Sequence, residues 1–156
     1  MDDQSRIQAE EEALDRALAG GVLRLTLGVN ILLHGVTRLH SGVAGFAAAT
    51  VGQFSGTPLP EGLVRLFATA LPCLESGFGF LIVVGLWTRF ALVGGGLLMT
   101  ALVFGTALRS DWATLGIQMV YAVVYFLLLV FQVHDRFSLD RLVARSAPAS
   151  PSRGAR

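Results

Sequence analysis

The chain has 156 residues, 53% of them hydrophobic and only 15% charged, with a formal net charge of +1. An ordinary soluble domain is roughly a quarter charged, so this balance and the mean hydropathy of +0.63 exclude that class, and the near-neutral charge offers no basic surface to nucleic acid. A single cysteine, Cys73, excludes an internal disulfide, a CxxC redox pair and an all-cysteine metal site; it reads as a small buried hydrophobe.

Residues 1–20 hold an acidic cluster, Glu10, Glu11 and Glu12, without the basic-then-apolar order of a signal peptide. EEALDRAL predicts a short amphipathic helix at the membrane surface. The segment 21–39 (GVLRLTLGVNILLHGVTRL) is then the first of four apolar stretches, each near the roughly 17–25 residues that a membrane-spanning helix requires. At about 100° per residue, Arg24, Asn30, His34, Thr37 and Arg38 fall within an arc of about 140°. Leu, Val and Ile fill the opposite face, so the polar arc is expected to look into a helix bundle.

The loop from His40 to Gly62 is long for a simple turn and poor in charge; it is expected to lie along the membrane surface or to cap the bundle. The second span, 63–86, places Glu75 in an apolar run, near mid-membrane and level with Asn30. Pro72, one turn earlier, removes a backbone donor, and Ser76, Gly77 and Gly79 allow another helix to come close. The third span, 90–108, is almost wholly apolar, with Gly94, Gly95, Gly96 and Gly105 as packing positions. The fourth, 112–133, carries Gln118, Tyr121, Tyr125 and Gln132 on one stripe. Residues 144–156 form a basic Pro/Ser/Ala-rich tail, which reads as disordered.

The expected architecture is an all-α membrane protein, a four-transmembrane-helix bundle spanning 21–143. Four spans put both termini on one side. That side holds Arg6, Arg16, Arg89, Arg136, Arg141, Arg145, Arg153 and Arg156, against Arg38, Arg65 and Arg109 on the other. The positive-inside bias therefore assigns both termini to the cytoplasm.

Three spans offer polar side chains at overlapping depths. An intramembrane carboxylate is a functional-site hypothesis by default, and a His and a Glu at neighbouring depth can pass a proton to a bound quinone or similar ligand. Glu75 and His34 are thus the candidate proton-handling residues. Arg24 or Arg38 would hold an anionic or carbonyl group, beside Asn30, with Gln118 and Tyr121 orienting the ligand. The competing structural reading is an interhelical hydrogen-bond network that fixes the bundle. No metal site is expected, and a bis-histidine haem is excluded because His34 and His134 lie at opposite depths. No glycine-rich nucleotide loop, HExxH or nucleophile elbow is present.

These features resemble the DoxX family of small four-helix membrane proteins. The resemblance rests on LRLTLGVNILLHGVTRL, with Leu23-Arg24, Gly28, His34-Gly35 and Arg38, and on Gly45-Phe46 in the outer loop and Glu75 in span two. It continues through VGLWTRFAL, with Gly85, Thr88 and Arg89, to FSLDRL, with Ser138, Leu139 and Asp140, and covers roughly residues 20–143. Where the family often has paired glycines after the glutamate, this chain has Ser76-Gly77-Phe78-Gly79. The resemblance implies a bacterial inner-membrane protein. The related DoxD branch forms part of a thiosulfate:quinone oxidoreductase, and other members are linked to redox or oxidative-stress complexes. Three functional readings follow: a redox-system subunit working with a quinone or a thiol/sulfur-linked partner, a scaffold for a partner enzyme, and a small-solute carrier, which would need a homo-oligomer to alternate.

Overall fold

The structure, a computed structural model, describes residues 3–131. Gln132, His134, FSLDRL and the tail 144–156 lie outside the described residues. Five helices follow in order: α1 (Asp3–Ser41), α2 (Val43–Gln53), α3 (Glu61–Val84), α4 (Thr88–Leu108) and α5 (Trp112–Phe131). α1, α3, α4 and α5 are each long and apolar enough to cross a membrane, so the chain is an α-helical, multi-pass membrane protein with no strand among the described residues.

α1 does not break at residue 20. Its 39 residues extend for about 58 Å at 1.5 Å per residue, roughly twice the thickness of a hydrocarbon core. The expected short surface helix is therefore continuous with the first span. Each turn has a local cause. Gly42 (φ 99°) separates α1 from α2, and Gly85 (φ 73°) closes α3 in the left-handed conformation that glycine adopts freely. Pro60, with φ −60°, stands at the N-cap of α3. At the start of α5, Asp111 accepts from the Thr114 backbone N–H (3.2 Å) and hydroxyl (2.8 Å). Those bonds, the hydroxyl's first, hold its carboxyl below the usual carboxylate value.

The main helix contacts run α1–α3, α3–α4, α4–α5 and α5–α1, closing a four-helix ring, while α2 packs across α3 and the end of α1. Leu27, Ile31, Ile82, Ala91, Leu92, Met99, Tyr125 and Leu128 form the core. Lipid tails are as apolar as leucine, so tight packing must hold such helices together. α1 and α3 achieve it by backbone-to-backbone approach. A Cβ on Gly35 would stand 2.6 Å from the Pro72 carbonyl oxygen, and one on Gly28 would stand 2.9 Å from the Val83 nitrogen. Gly79 returns the contact against Leu32. These three interlocks set the register: residue 28 faces 82–83, 32 faces 79, and 35 faces 72 and 76.

That register corrects the expected depth of Glu75. It lies level with Gly35 rather than Asn30, five residues or about 7.5 Å nearer the α2 end. Cys73 is also corrected: it is exposed on the outer side of α3, because Pro72 and Glu75 take the inward positions. The third-span glycines do pack as expected, Gly94 against Phe78 and Gly95 against Tyr125.

Candidate functional site

Glu75 is buried, 4% exposed, and its two carboxylate oxygens both accept from Nη1 of Arg38. The pair is heptad geometry in origin. Gly21, Gly28 and Gly35 recur every seven residues on α1, and Arg24, Ile31 and Arg38 follow each by three, so they share the seam that meets α3. Close approach at Gly35 brings the α3 backbone near enough for Arg38, one turn on, to reach Glu75. Tyr125 of α5 is buried in the core against Gly95 of α4.

Arg38 has a second set of neighbours. Its guanidinium carbon lies 4.9 Å from the centroid of the Phe46 ring on α2, a cation–π distance. At the far end of α2, Arg109 stands 5.5 Å over Phe54 and 3.6 Å from Asp111. Between these two arginines a cavity of about 390 Å³ opens at the α2 end of the bundle. Its walls are mostly apolar, with Phe46, Phe54, Leu63, Phe67, Leu71 and Phe104 among them. Arg38, Thr106, Arg109, Thr114 and Gln118 supply polar groups. Arg38 also borders a shallower groove with Thr37, Ser41, Gly42 and Gly45. A concave, largely apolar chamber with a few convergent polar groups is the usual form of a small-molecule site.

The other expected site residues separate into three places. His34 is level with Glu75 but lies about 100° round α1 from Gly35. It is exposed, with Nδ1 2.9 Å from the Asn30 carbonyl oxygen of its own helix. The expected His34–Glu75 couple is thus replaced by Arg38–Glu75, because the glycine seam, and not the centre of the polar arc, faces α3. Arg24 is buried two heptads below Arg38 and donates to the Ile82 (2.6 Å) and Val83 (3.0 Å) carbonyls in the last turn of α3. It therefore caps that helix end, where a cation also meets the negative pole of the dipole. Asn30 and Tyr121 pair with each other, the tyrosine hydroxyl donating to Asn30 Oδ1 at 3.2 Å, and so tie α1 to α5 below the cavity. Of the expected ligand-binding residues, Arg38 and Gln118 line it.

Sequence reasoning missed Arg109, Phe46 and Phe54 as a set. The available signal was positional: Phe46 and Phe54 are eight residues apart, two turns, on a segment bounded by Gly42 and Gly56. No group of three or more His, Cys, Asp or Glu side chains that could hold a metal occurs among the described residues.

The family model described as DoxX matches residues 21–108, which includes Glu75, Arg38, α2 and the whole of α4. No curated protein and no solved structure matches the chain.

Proposed function

The chain belongs to the DoxX family, and from that premise we propose that it is a membrane subunit of a redox system whose α2-end cavity receives a quinone. The observation that carries this reading is the sharing of one guanidinium. Arg38 belongs both to a buried ion pair and to the wall of an aromatic-lined chamber. A quinone suits such a chamber: its ring packs on Phe46, Phe54 and Phe67, and its oxygens accept from arginine N–H groups.

If Arg38 turns to the ligand oxygen as Glu75 accepts a proton, no bare carboxylate is left, and the guanidinium keeps the Phe46 ring and the ligand oxygen as its partners. Glu75 is then a proton stop beside the quinone. In the overall step a partner's dithiol becomes a disulfide, and its two electrons and two protons convert quinone to quinol. The proposed setting is a bacterial inner membrane with both termini cytoplasmic, which puts the cavity at the outer end. A second reading, a non-catalytic anchor for a partner enzyme, is favoured by α5. Only Tyr125 and Leu128 of that helix are buried, leaving Ile117, Val120, Val123 and Phe126 on a broad apolar face.

The two readings part on Glu75→Gln. As a redox site, purified protein in lipid nanodiscs binds a short-tailed quinone, and the variant folds but fails to restore redox function in cells lacking the native gene. If the wild-type chain ignores the quinone, or the variant changes only stability and partner capture, the anchor reading takes its place.

A further inference from the structure

The polar groups of the cavity come mainly from α1, α2, α5 and the α4–α5 turn. Its α3–α4 side is apolar, with Leu63, Phe67 and Leu71 on α3 and Ala101, Leu102 and Phe104 on α4. The Thr106 hydroxyl on that side is taken up by the Leu102 carbonyl of its own helix (2.8 Å). α3 and α4 also part toward this end. Near the α3–α4 turn they touch: a Cβ on Gly94 would stand 2.6 Å from the Phe78 ring, and Phe78 meets Phe90 edge-on with centroids 6.0 Å apart. Counting outward from the Phe78–Gly94 contact in antiparallel register, Phe67 comes level with Gly105 and Leu71 with Ala101. There the neighbour of Gly105 is Phe54 of α2, whose ring would be 3.0 Å from an added Cβ, and no atom of α3 comes within 4 Å of that point. The Phe54 ring thus stands where α3 would otherwise close on α4.

Ala101, Phe104 and Leu63 line the cavity and are also exposed, Phe104 at 58% and Leu63 at 53%. Ala101 and Phe104, three apart, share one stripe of α4. Ala101 lies seven residues, about 10 Å, inside the end of that helix. Exposure at that depth in a membrane span is exposure to hydrocarbon. We infer that the chamber opens sideways into the bilayer between α3 and α4, and that it takes a tailed, membrane-resident quinone, ring inside and tail leaving past Ala101 and Phe104. The inference rests on the quinone reading above and adds the ligand's tail and its route. Size agrees with it. A chamber of about 390 Å³ is near the lower bound for a small-molecule site, enough for a ring head but not for a long isoprenoid chain as well. An apolar mouth lets the tail stay in apolar surroundings throughout, while Arg38 and Arg109, on the other walls, face the ring oxygens.

The test uses the full chain in nanodiscs, titrated with decylubiquinone and with ubiquinone-0, the same ring without the tail. A Cys73→Ser background removes the single thiol, and with it any covalent adduct to the ring. Each probe is compared between variants, so its partition into lipid cancels. Ala101→Trp places a bulky ring in the mouth. Leu97→Trp, one turn away on α4 and outside the cavity lining, is the control, and both positions are exposed. Ala101→Trp is expected to weaken decylubiquinone about tenfold, the scale of overfilling an occupied space, and to leave ubiquinone-0 unchanged. Leu97→Trp should change neither. Equal effects of Ala101→Trp on the two probes, or an equal loss with Leu97→Trp, would overturn the lateral route while the quinone reading stands. Binding of neither probe without these substitutions would overturn the quinone reading and this inference with it.

Discussion

Arg38 is held by two demands on one guanidinium, a carboxylate behind it and an aromatic ring with an open chamber before it. An intramembrane carboxylate without a cation or donor is costly, so removing one partner leaves the other exposed to that cost. Arg38→Gln is expected to destabilise the protein by about 3 kcal/mol. The double variant Arg38→Met/Glu75→Leu leaves no unpaired charge and should regain most of the loss. Thermal unfolding in detergent measures both effects. If the pair only ties helices together, the double variant should also keep its ligand affinity; as a quinone site, it should lose it. The carboxylate itself was legible from the sequence, as a lone acid in an apolar run. Its partner was not: counting depth from span ends put His34 and Asn30 beside it, and only the interlocking glycines reveal the true register.

At the scale of helices, the α1–α3 contact places the site. Gly35 has no room for a side chain, with Pro72 O 2.6 Å and Ser76 N 2.5 Å from where its Cβ would stand. Gly77, on the same stretch of α3, meets nothing within 4 Å. Gly35→Ala is therefore expected to push the helices apart, at a cost of about 1–3 kcal/mol, and to weaken ligand binding with it. Gly77→Ala should be neutral or stabilising by about 0.5–1 kcal/mol through helix propensity. Equal effects of the two, read as shifts in unfolding temperature, would refute the interlock. The four spans themselves follow from apolar length, and they were legible. α2 was not resolved as a helix, because eleven mostly small residues in VAGFAAATVGQ carry no clear period. Its role emerges only when Phe46 and Phe54 are seen under two arginines from different helices.

For the whole molecule, the arrangement assigns α2 and the α4–α5 turn to one end, and the α3–α4 turn to the other. The arginine bias over the full chain predicts which end faces out. In a Cys73→Ser background, a cysteine at Gly56 should react with a membrane-impermeant maleimide on intact cells. One at Trp87, exposed in the α3–α4 turn, should react only after lysis. The opposite pattern would invert the protein and move the cavity to the cytoplasmic side. Family membership agrees with the fold at this scale, since the matched residues 21–108 include most of the cavity wall. Gln118 and Thr114 lie beyond them, on α5, so part of the cavity wall lies outside the family match.

Whether a quinone occupies the α2-end cavity is addressed directly by photoaffinity labelling. The full chain in nanodiscs is illuminated with an azidoquinone, with and without excess unlabelled quinone, and the adducts are mapped by mass spectrometry. Adducts are expected around Phe46, Phe54, Phe67 and Phe104, removed by the competitor and suppressed in Arg38→Met/Glu75→Leu. Adducts spread over the outward face of α5 and indifferent to competitor would contradict that placement.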